Sequence, residues 1–335
     1  MTDDAGLVSI VIPAYNAARY LHAALESALN QTYRGDKEII VVDDGSSDDT
    51  PAVVAACGGQ ITYLRQDHRG PASARNRGLR RARGEFIAFL DADDLWRPEK
   101  LQRQMEIMRS RPDVGLVCCD FQRFTESGVF ATSNKRLAEP ASGWVFRELW
   151  QRNFISTPTV VLRRECLDAV GLFDEALSYG EDWHLWLRVA RHFKVHYVDA
   201  PLVSVRCHPQ SISAGDPDQR LAAHLATLDD LVRLFPDLAK SVRVRRSKAY
   251  FGNGWRHFAH GRRRLARQRF RQAMGENPGM ARACVYLAAT YMPGVGVSLL
   301  RAGKQWLRRL AQRREKCVPG FRRAPVDHGG EGDVT

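Results

Sequence analysis

Residues 86–94 read Phe-Ile-Ala-Phe-Leu-Asp-Ala-Asp-Asp, an apolar run that stops on three carboxylates. The run has the length and bulk of a buried strand, and buried strands of α/β sheets carry their working residues at the carboxyl end. Asp91 and Asp93 are two apart, so in extended backbone their side chains point the same way. Like charges that close repel unless something positive sits between them. A hard divalent cation, Mg²⁺ or Mn²⁺, bridging to a phosphate-bearing ligand meets that need. A solvated acidic turn is the alternative reading.

The upstream sequence repeats the pattern. Ser9-Ile-Val-Ile-Pro-Ala-Tyr-Asn16 is an apolar strand ending in polar residues, and Glu38-Ile-Ile-Val-Val-Asp-Asp-Gly-Ser46 closes on two carboxylates and a Gly-Ser turn. Between them Leu21, Leu25, Ala28 and Leu29 form the stripe of an amphipathic helix. Ile61 to Arg65 predicts a short strand, and Pro71 to Ala82 a helix with proline in its first turn. The order β-α-β-α-β-α-β implies an α/β fold with a mostly parallel sheet and right-handed crossovers. The carboxylate-tipped strands then end on one edge, where a binding crevice is expected.

These segments resemble the family 2 glycosyltransferases, enzymes of the GT-A fold. The resemblance rests on six ordered blocks over the first two-thirds of the chain. They are Ile-Pro-Ala-Tyr-Asn at 12–16, Val-Val-Asp-Asp-Gly-Ser at 41–46, Gly-Pro-Ala-Ser-Ala-Arg-Asn-Arg-Gly at 70–78, Phe-Leu-Asp-Ala-Asp-Asp at 89–94, Gly-Glu-Asp-Trp at 180–183, and Val-Arg-Cys-His at 205–208 with Ser211 and Ser213 behind it. It implies transfer of one sugar from a UDP-, GDP- or dTDP-sugar to a hydroxyl acceptor, with inversion at the anomeric carbon. The Gln-x-x-Arg-Trp string of the processive members is absent from the sequence, so a single transfer per encounter is expected.

Site roles follow from residue chemistry and from that resemblance. Tyr15 offers an aromatic face for a base and Asp44 an acceptor for a ring N–H, with Pro13, Asn16 and Asp43 beside them; the competing use of Asp43 and Asp44 is turn and helix capping. By resemblance Asp93 is the direct metal ligand, with Asp91 and Ala92 nearer the ribose and sugar, and His208 a further metal or diphosphate ligand, with Arg206 in the same string. Imidazole is an acceptable Mn²⁺ ligand. Arg75 is expected to pair with a carboxylate or phosphate, against a plain surface role suggested by Arg77, Arg80, Arg81 and Arg83. Glu181 and Asp182 precede the stripe Trp183, Trp186, Leu187 and Ala190, which puts them at a helix start. The resemblance makes Asp182 the general base for the acceptor hydroxyl, with Glu181 and Trp183 positioning acceptor or base.

The rest of the chain has another character. The net charge of +12 is made of −5 over residues 1–239, +20 over 240–323 and −3 over the last twelve residues. A catalytic domain over 1–215, a basic helical region over 216–317 and a disordered tail over 318–335 are therefore expected. Residues 247–280 carry one tetratricopeptide-like pattern, with Gly254, Ala266, Phe270, Ala273 and Pro278 matching it and Tyr250 in place of the usual Trp. Ala283 to Leu300 holds no charge but is broken by Pro293, Gly294 and Gly296, and Trp306 follows. That is poor for a spanning helix and suits an anionic membrane surface; a solvated basic face and a buried helix are the bland alternative. No aromatic-interleaved nucleic-acid motif accompanies the arginines.

Seven cysteines without C-x-x-C spacing predict reduced thiols and no zinc site, and the first residues carry no apolar signal stretch, so a cytoplasmic, peripheral enzyme on the inner face of the membrane is expected. Two rival classes remain. A sugar-phosphate nucleotidyltransferase would need a Gly-rich N-terminal loop that Ile-Pro-Ala-Tyr-Asn does not supply. A catalytically silent sugar-nucleotide-binding scaffold would be expected to have lost Asp93, Asp182 or His208, and all three are present.

Overall fold

The computed structural model describes residues 6–132, 141–208 and 215–292. The chain divides into two compact units, one ending at Ala249 and the other starting at Tyr250. The first is built from β1 (Val8–Ala14), α1 (Ala18–Leu29), β2 (Lys37–Asp43), α2 (Thr50–Ala56), β3 (Ile61–Arg65), α3 (Pro71–Arg81) and β4 (Phe86–Phe89). There follow β5 (Leu95–Trp96), α4 (Lys100–Ser110), β6 (Val114–Thr125), β7 (Gly128–Thr132), α5 (Phe146–Gln151), β8 (Val161–Arg163) and α6 (Arg164–Val170). Then come α7 (Glu181–His192), β9 (Lys194–Arg206), α8 (Pro217–Leu234) and α9 (Ala239–Ala259), inside which the division falls.

The strands form one sheet in the order β3-β2-β1-β4-β8-β6-β9-β5, with β7 paired to β6. Alternate residues of the central strands enter opposite cores. Val11, Ile40, Val42, Ile87 and Phe89 bury on one face, and Val8, Ile10, Ile12, Val41 and Ala88 on the other. Burial on both faces explains why these strands read as continuous apolar runs rather than as alternation. Helix α3 lies tight on the sheet because residue 78 is glycine: a Cβ there would come 2.5 Å from Val11 Cγ1.

The expected mostly parallel sheet holds for β1 with β2 and β4, for β2 with β3, and for β6 with β9. Between these blocks sits β8, antiparallel to both β4 and β6. The in-register parallel pairing of β1 with β2 and β4 brings their carboxyl ends to one edge, and Asp44 N–H and Leu90 N–H continue it by donating to Ala14 O and Val11 O.

The first unit runs past residue 215, because Leu228 and Leu231 of α8, Leu238 and Val242 are buried in its main core. The second unit contains the end of α9 with α10 (Arg263–Glu276) and α11 (Ala281–Ala289). Phe258, Ala266, Phe270 and Ala289 form its core with Phe251, Trp255 and Tyr286 against them. Gly254 allows a close approach of α9 to α10; a Cβ there would come 2.9 Å from the Phe270 ring. Ala273, Met280 and Ala283 pack with Tyr250 in a second small cluster. Ser211, Ser213, the second half of the uncharged stretch, Trp306 and the expected tail lie outside the described residues. Among the described residues no helix is long and apolar enough to cross a membrane.

Candidate active site

At the end of β1, Asn16 adopts a left-handed backbone (φ 47°) and knots its strand to the turn after β2. Its N–H donates to Ser46 Oγ at 2.9 Å, and its Oδ1 accepts from Ser47 N–H at 2.8 Å. Pro13 is half-buried inside β1. Tyr15 is 49% exposed and stacks on His68, ring centroids 4.0 Å apart. Asp43 is buried and accepts from Ser46 N–H at 2.8 Å and from the Tyr63 hydroxyl at 2.5 Å. Burial alone raises its proton affinity, but the bonds from Ser46 and Tyr63 outweigh this and hold it below the usual carboxylate range. Burial and the Asp43 bond push Tyr63 up to about 12. Asp44 accepts from the Gln66 side chain and Gly70 N–H at 2.8 Å and from Arg69 N–H at 2.9 Å. Asp43 thus caps its own turn while Asp44 clamps the loop between β3 and α3. Arg65, Gln66, Asp67, Arg69 and Arg77 line an open cleft of about 490 Å³ on that loop, a basic feature the sequence reading missed.

The carboxylates after β4 correct one expectation. The strand stops at Phe89 and residues 91–94 form a turn closed by Asp94 N–H donating to Asp91 O at 3.0 Å, so Asp91 and Asp93 do not share an extended backbone. Asp91 Oδ1 meets Arg75 Nη2 at 2.8 Å, whereas Asp93 Oδ2 lies 2.8 Å from His208 Nε2. Ala92 is buried between them. Arg206 organises this turn: its backbone N–H donates to Asp94 Oδ1 at 2.8 Å and its Nε to Asp93 O at 2.9 Å. Its guanidinium sits over the rings of Tyr20 and Phe124, 4.6 and 4.4 Å from their centroids. Burial, then the charge of Asp91, raises the Asp93 carboxyl; Asp94, deeper still, is raised well above the usual range by burial and by Asp93 and Asp91. Tyr20 and His68 are members of this site outside the quoted motifs, and Asp94, inside one of them, had been given no role.

On the opposite side, Gly180 takes a left-handed conformation (φ 81°) and starts α7. Glu181 Oε1 accepts from Arg75 Nη1 at 2.9 Å. Asp182 accepts from the Thr157 hydroxyl at 3.3 Å and from Trp183 N–H at 2.6 Å. Burial, followed by the neighbouring Glu181 charge, pushes the Asp182 carboxyl up to about 7. Trp183, expected near the acceptor, instead lies in the core. It is 3% exposed, stacks on Trp150 at 5.5 Å between centroids, and donates its indole N–H to Leu149 O at 2.8 Å. It was the first apolar position of the α7 stripe, and that stripe is what packs inward.

The profile of Glycosyl transferase family 2 matches residues 9–171, the span from β1 to the end of α6. A glucosyltransferase of Escherichia coli, the UDP-Glc:alpha-D-GlcNAc-diphosphoundecaprenol beta-1,3-glucosyltransferase WfgD, is 31% identical over 62% of this chain and 80% of its own length. The chain belongs to glycosyltransferase family 2. An uncharacterised glycosyltransferase of Rickettsia typhi is 33% identical over 60% of this chain, which spans 64% of that relative's length. In fold, the chain is similar to the mannosyltransferase PcManGT of Pyrobaculum calidifontis, solved with GDP-Man and Mn²⁺, with TM-score 0.56 and 20% identity over 84% of this chain and 79% of that one. It is also similar to TarS of S. aureus, solved with UDP-GlcNAc, with TM-score 0.55 and 19% identity over 67% and 66%. These likenesses establish the GT-A architecture of the α/β unit.

A divalent cation fits the residues this family 2 chain presents. Asp91, Asp93 and Asp94 crowd onto one turn, and the proton affinity of the latter two is raised, first by burial and then by the neighbouring carboxylates, so a cation there would meet negative charge from three side chains. Carboxylate oxygen with one imidazole nitrogen suits Mn²⁺ or Mg²⁺. Among the described residues, a separate group, Asp174, His184 and Asp230, brings three ligand atoms within 4.8 Å of one another. There His184 Nε2 is already 2.9 Å from Asp230 Oδ2, and Arg233 pairs with the same carboxylate, which is a side-chain network joining α7 to α8.

Proposed function

We propose that this chain moves one sugar from a nucleotide-sugar donor to a hydroxyl of a lipid-linked or cell-surface glycan precursor, inverting the anomeric carbon. The observation that carries the reading is Asp182, a half-buried carboxyl pushed up to about 7 at a helix start that Arg75 ties to the carboxylate turn after β4. A general base works best when its proton affinity lies near the working pH. The donor would lie along the ends of β1, β2 and β4, its base by Tyr15 and Asp44. Asp182 takes the hydroxyl proton as the acceptor oxygen attacks the anomeric carbon, and the bond from that carbon to the diphosphate oxygen breaks with its electron pair leaving on the nucleoside diphosphate. A carboxylate is a weak base for an alcohol, so proton transfer is late and concerted with attack. Asp93 and His208, with Asp91 beside them, would hold a divalent cation, which when bound supplies charge neutralisation to the departing diphosphate.

The lipid-linked acceptor is supported by the acceptor in the name of the E. coli relative. The test is thermal denaturation with UDP-, GDP- and dTDP-sugars, each with and without Mn²⁺. A ligand at a hundred times its dissociation constant stabilises by about 2.7 kcal/mol, which for a unit of this size raises Tm by roughly 5–10 °C. One nucleotide class should give such a shift and need the metal for it; no shift with any of them would overturn the reading.

That reading goes with an enzyme working at a membrane surface on the cytoplasmic side, and the +20 charge of residues 240–323 supports an attachment role there. Each basic residue near an anionic bilayer contributes about 1 kcal/mol, screened by salt. Reversing Arg262, Arg263 and Arg264 to Glu should therefore weaken binding to phosphatidylserine vesicles by roughly a hundredfold or more. Equal partitioning of the native chain onto neutral and anionic vesicles would refute the attachment.

A further inference from the structure

We propose that Arg75 is a positioning residue that locks the donor-side carboxylate Asp91 and the acceptor-side helix start at Glu181 into one geometry, without touching the donor itself. Arg75 stands apart from the other arginines of its segment. Arg77, Arg80, Arg81 and Arg83 are exposed, whereas Arg75 is 6% exposed. One terminal nitrogen donates to Asp91 at 2.8 Å and the other to Glu181 at 2.9 Å, while the guanidinium lies 5.5 Å from the centroid of the Phe173 ring.

A guanidinium buried that deeply is tolerated only when paired, and two carboxylates keep it charged. Those partners belong to different halves of the unit, Asp91 just after β4 and Glu181 at the start of α7. The next residue strengthens the tie. Asn76 donates to Phe173 O at 2.9 Å and accepts from Phe173 N–H at 3.0 Å, stapling to α3 the segment that leads into α7. Of the two partners expected for it, carboxylate or phosphate, Arg75 takes carboxylates with both forks and is badly placed to grip a diphosphate. It is well placed to set the distance between the carboxylate turn and Asp182, the residue after Glu181.

This role rests on the proposed transfer reaction, because positioning matters only if the two halves hold reacting groups. Misplacing a catalytic group by about 1 Å lowers rates by roughly a hundredfold. The test compares the native chain with Arg75→Gln, Arg75→Lys, Glu181→Gln and the double Arg75→Gln/Glu181→Gln variant. The donor is the sugar nucleotide giving the largest metal-dependent thermal shift, and the acceptor probe is GlcNAc-diphosphoundecaprenol.

Arg75→Gln should lower kcat by about a hundredfold and change donor KM by less than about threefold; Arg75→Lys, with charge but no fork, should fall between. The double variant should lie within about threefold of the worse single, since both act through one bond. A tenfold or larger rise in donor KM, single effects that multiply, or an unchanged kcat would each overturn the role. If Arg75→Gln does not fold, Glu181→Gln, which keeps the guanidinium and its bond to Asp91, must show the lowered kcat with donor KM unchanged; a native kcat there overturns the role too. A native chain that transfers no sugar refutes the reaction and the role together, whereas transfer by the native chain at a rate matched by Arg75→Gln refutes the role alone.

Discussion

Asp182→Asn is expected to lower kcat by about 10²–10⁴-fold while leaving donor affinity nearly unchanged, because only proton removal is lost. The amide keeps the shape and can still accept from Trp183 N–H, so the change isolates the proton. The native enzyme should show kcat rising about tenfold per pH unit below 7 and levelling above, since the carboxyl titrates at about 7. Stability should run the other way. A carboxyl whose proton affinity is raised by folding favours the fold fully below the ordinary aspartate value of 3.8, and that contribution is lost as pH rises through about 7. The Asn variant carries no charge to desolvate, so it should match the native chain near pH 4 and exceed its stability at pH 8. A near-native rate would move the base to Glu181, and a flat pH profile would remove the carboxylate from the proton transfer.

Asp93→Asn is the second large effect. Replacing residues that merely support a metal ligand typically weakens metal affinity by about 10–100-fold, so loss of a direct ligand should exceed roughly a hundredfold. The metal-dependent part of the thermal shift should vanish, turnover should collapse, and EDTA should reproduce both in the native chain. His208→Ala should act in the same direction but less, because the carboxylate stays. Full activity in EDTA would sink the metal and with it the ligand role of Asp93.

The first half of the unit was legible because its chemistry is local. Strands buried on both faces, with carboxylates immediately after them, can be read from consecutive residues, and Pro71 marks the start of α3 as expected. What escaped depends on residues brought together from far apart. Three residues, Val161 to Arg163, are too few to announce a strand, yet as β8 they join the two parallel blocks. Asp91 and Asp93 look equivalent in sequence; the turn after β4 sends one to Arg75 and the other to His208. Arg75 sits among exposed arginines of similar spacing, and only its partners Asp91 and Glu181 make it a buried residue. Trp183 shows the converse: its place beside two site acids suggested a ligand contact, but its place in the α7 stripe decided its burial.

The late arrival of β8 bears on how the chain reaches this state. Strands β1 to β4 are linked by short crossovers, so their pairing closes only small loops and can form early. Until residues 161–163 return, β4 is an open edge: Phe86, Ile87, Ala88 and Phe89 are all buried in the finished sheet, and their outer hydrogen-bonding side faces β8. An unsealed, wholly apolar edge is a template for another chain. During synthesis, the stretch between emergence of β4 and emergence of β8 is thus the interval in which this protein is most prone to self-association, and a chain cut short between them would be expected to aggregate rather than persist as a stable half-sheet.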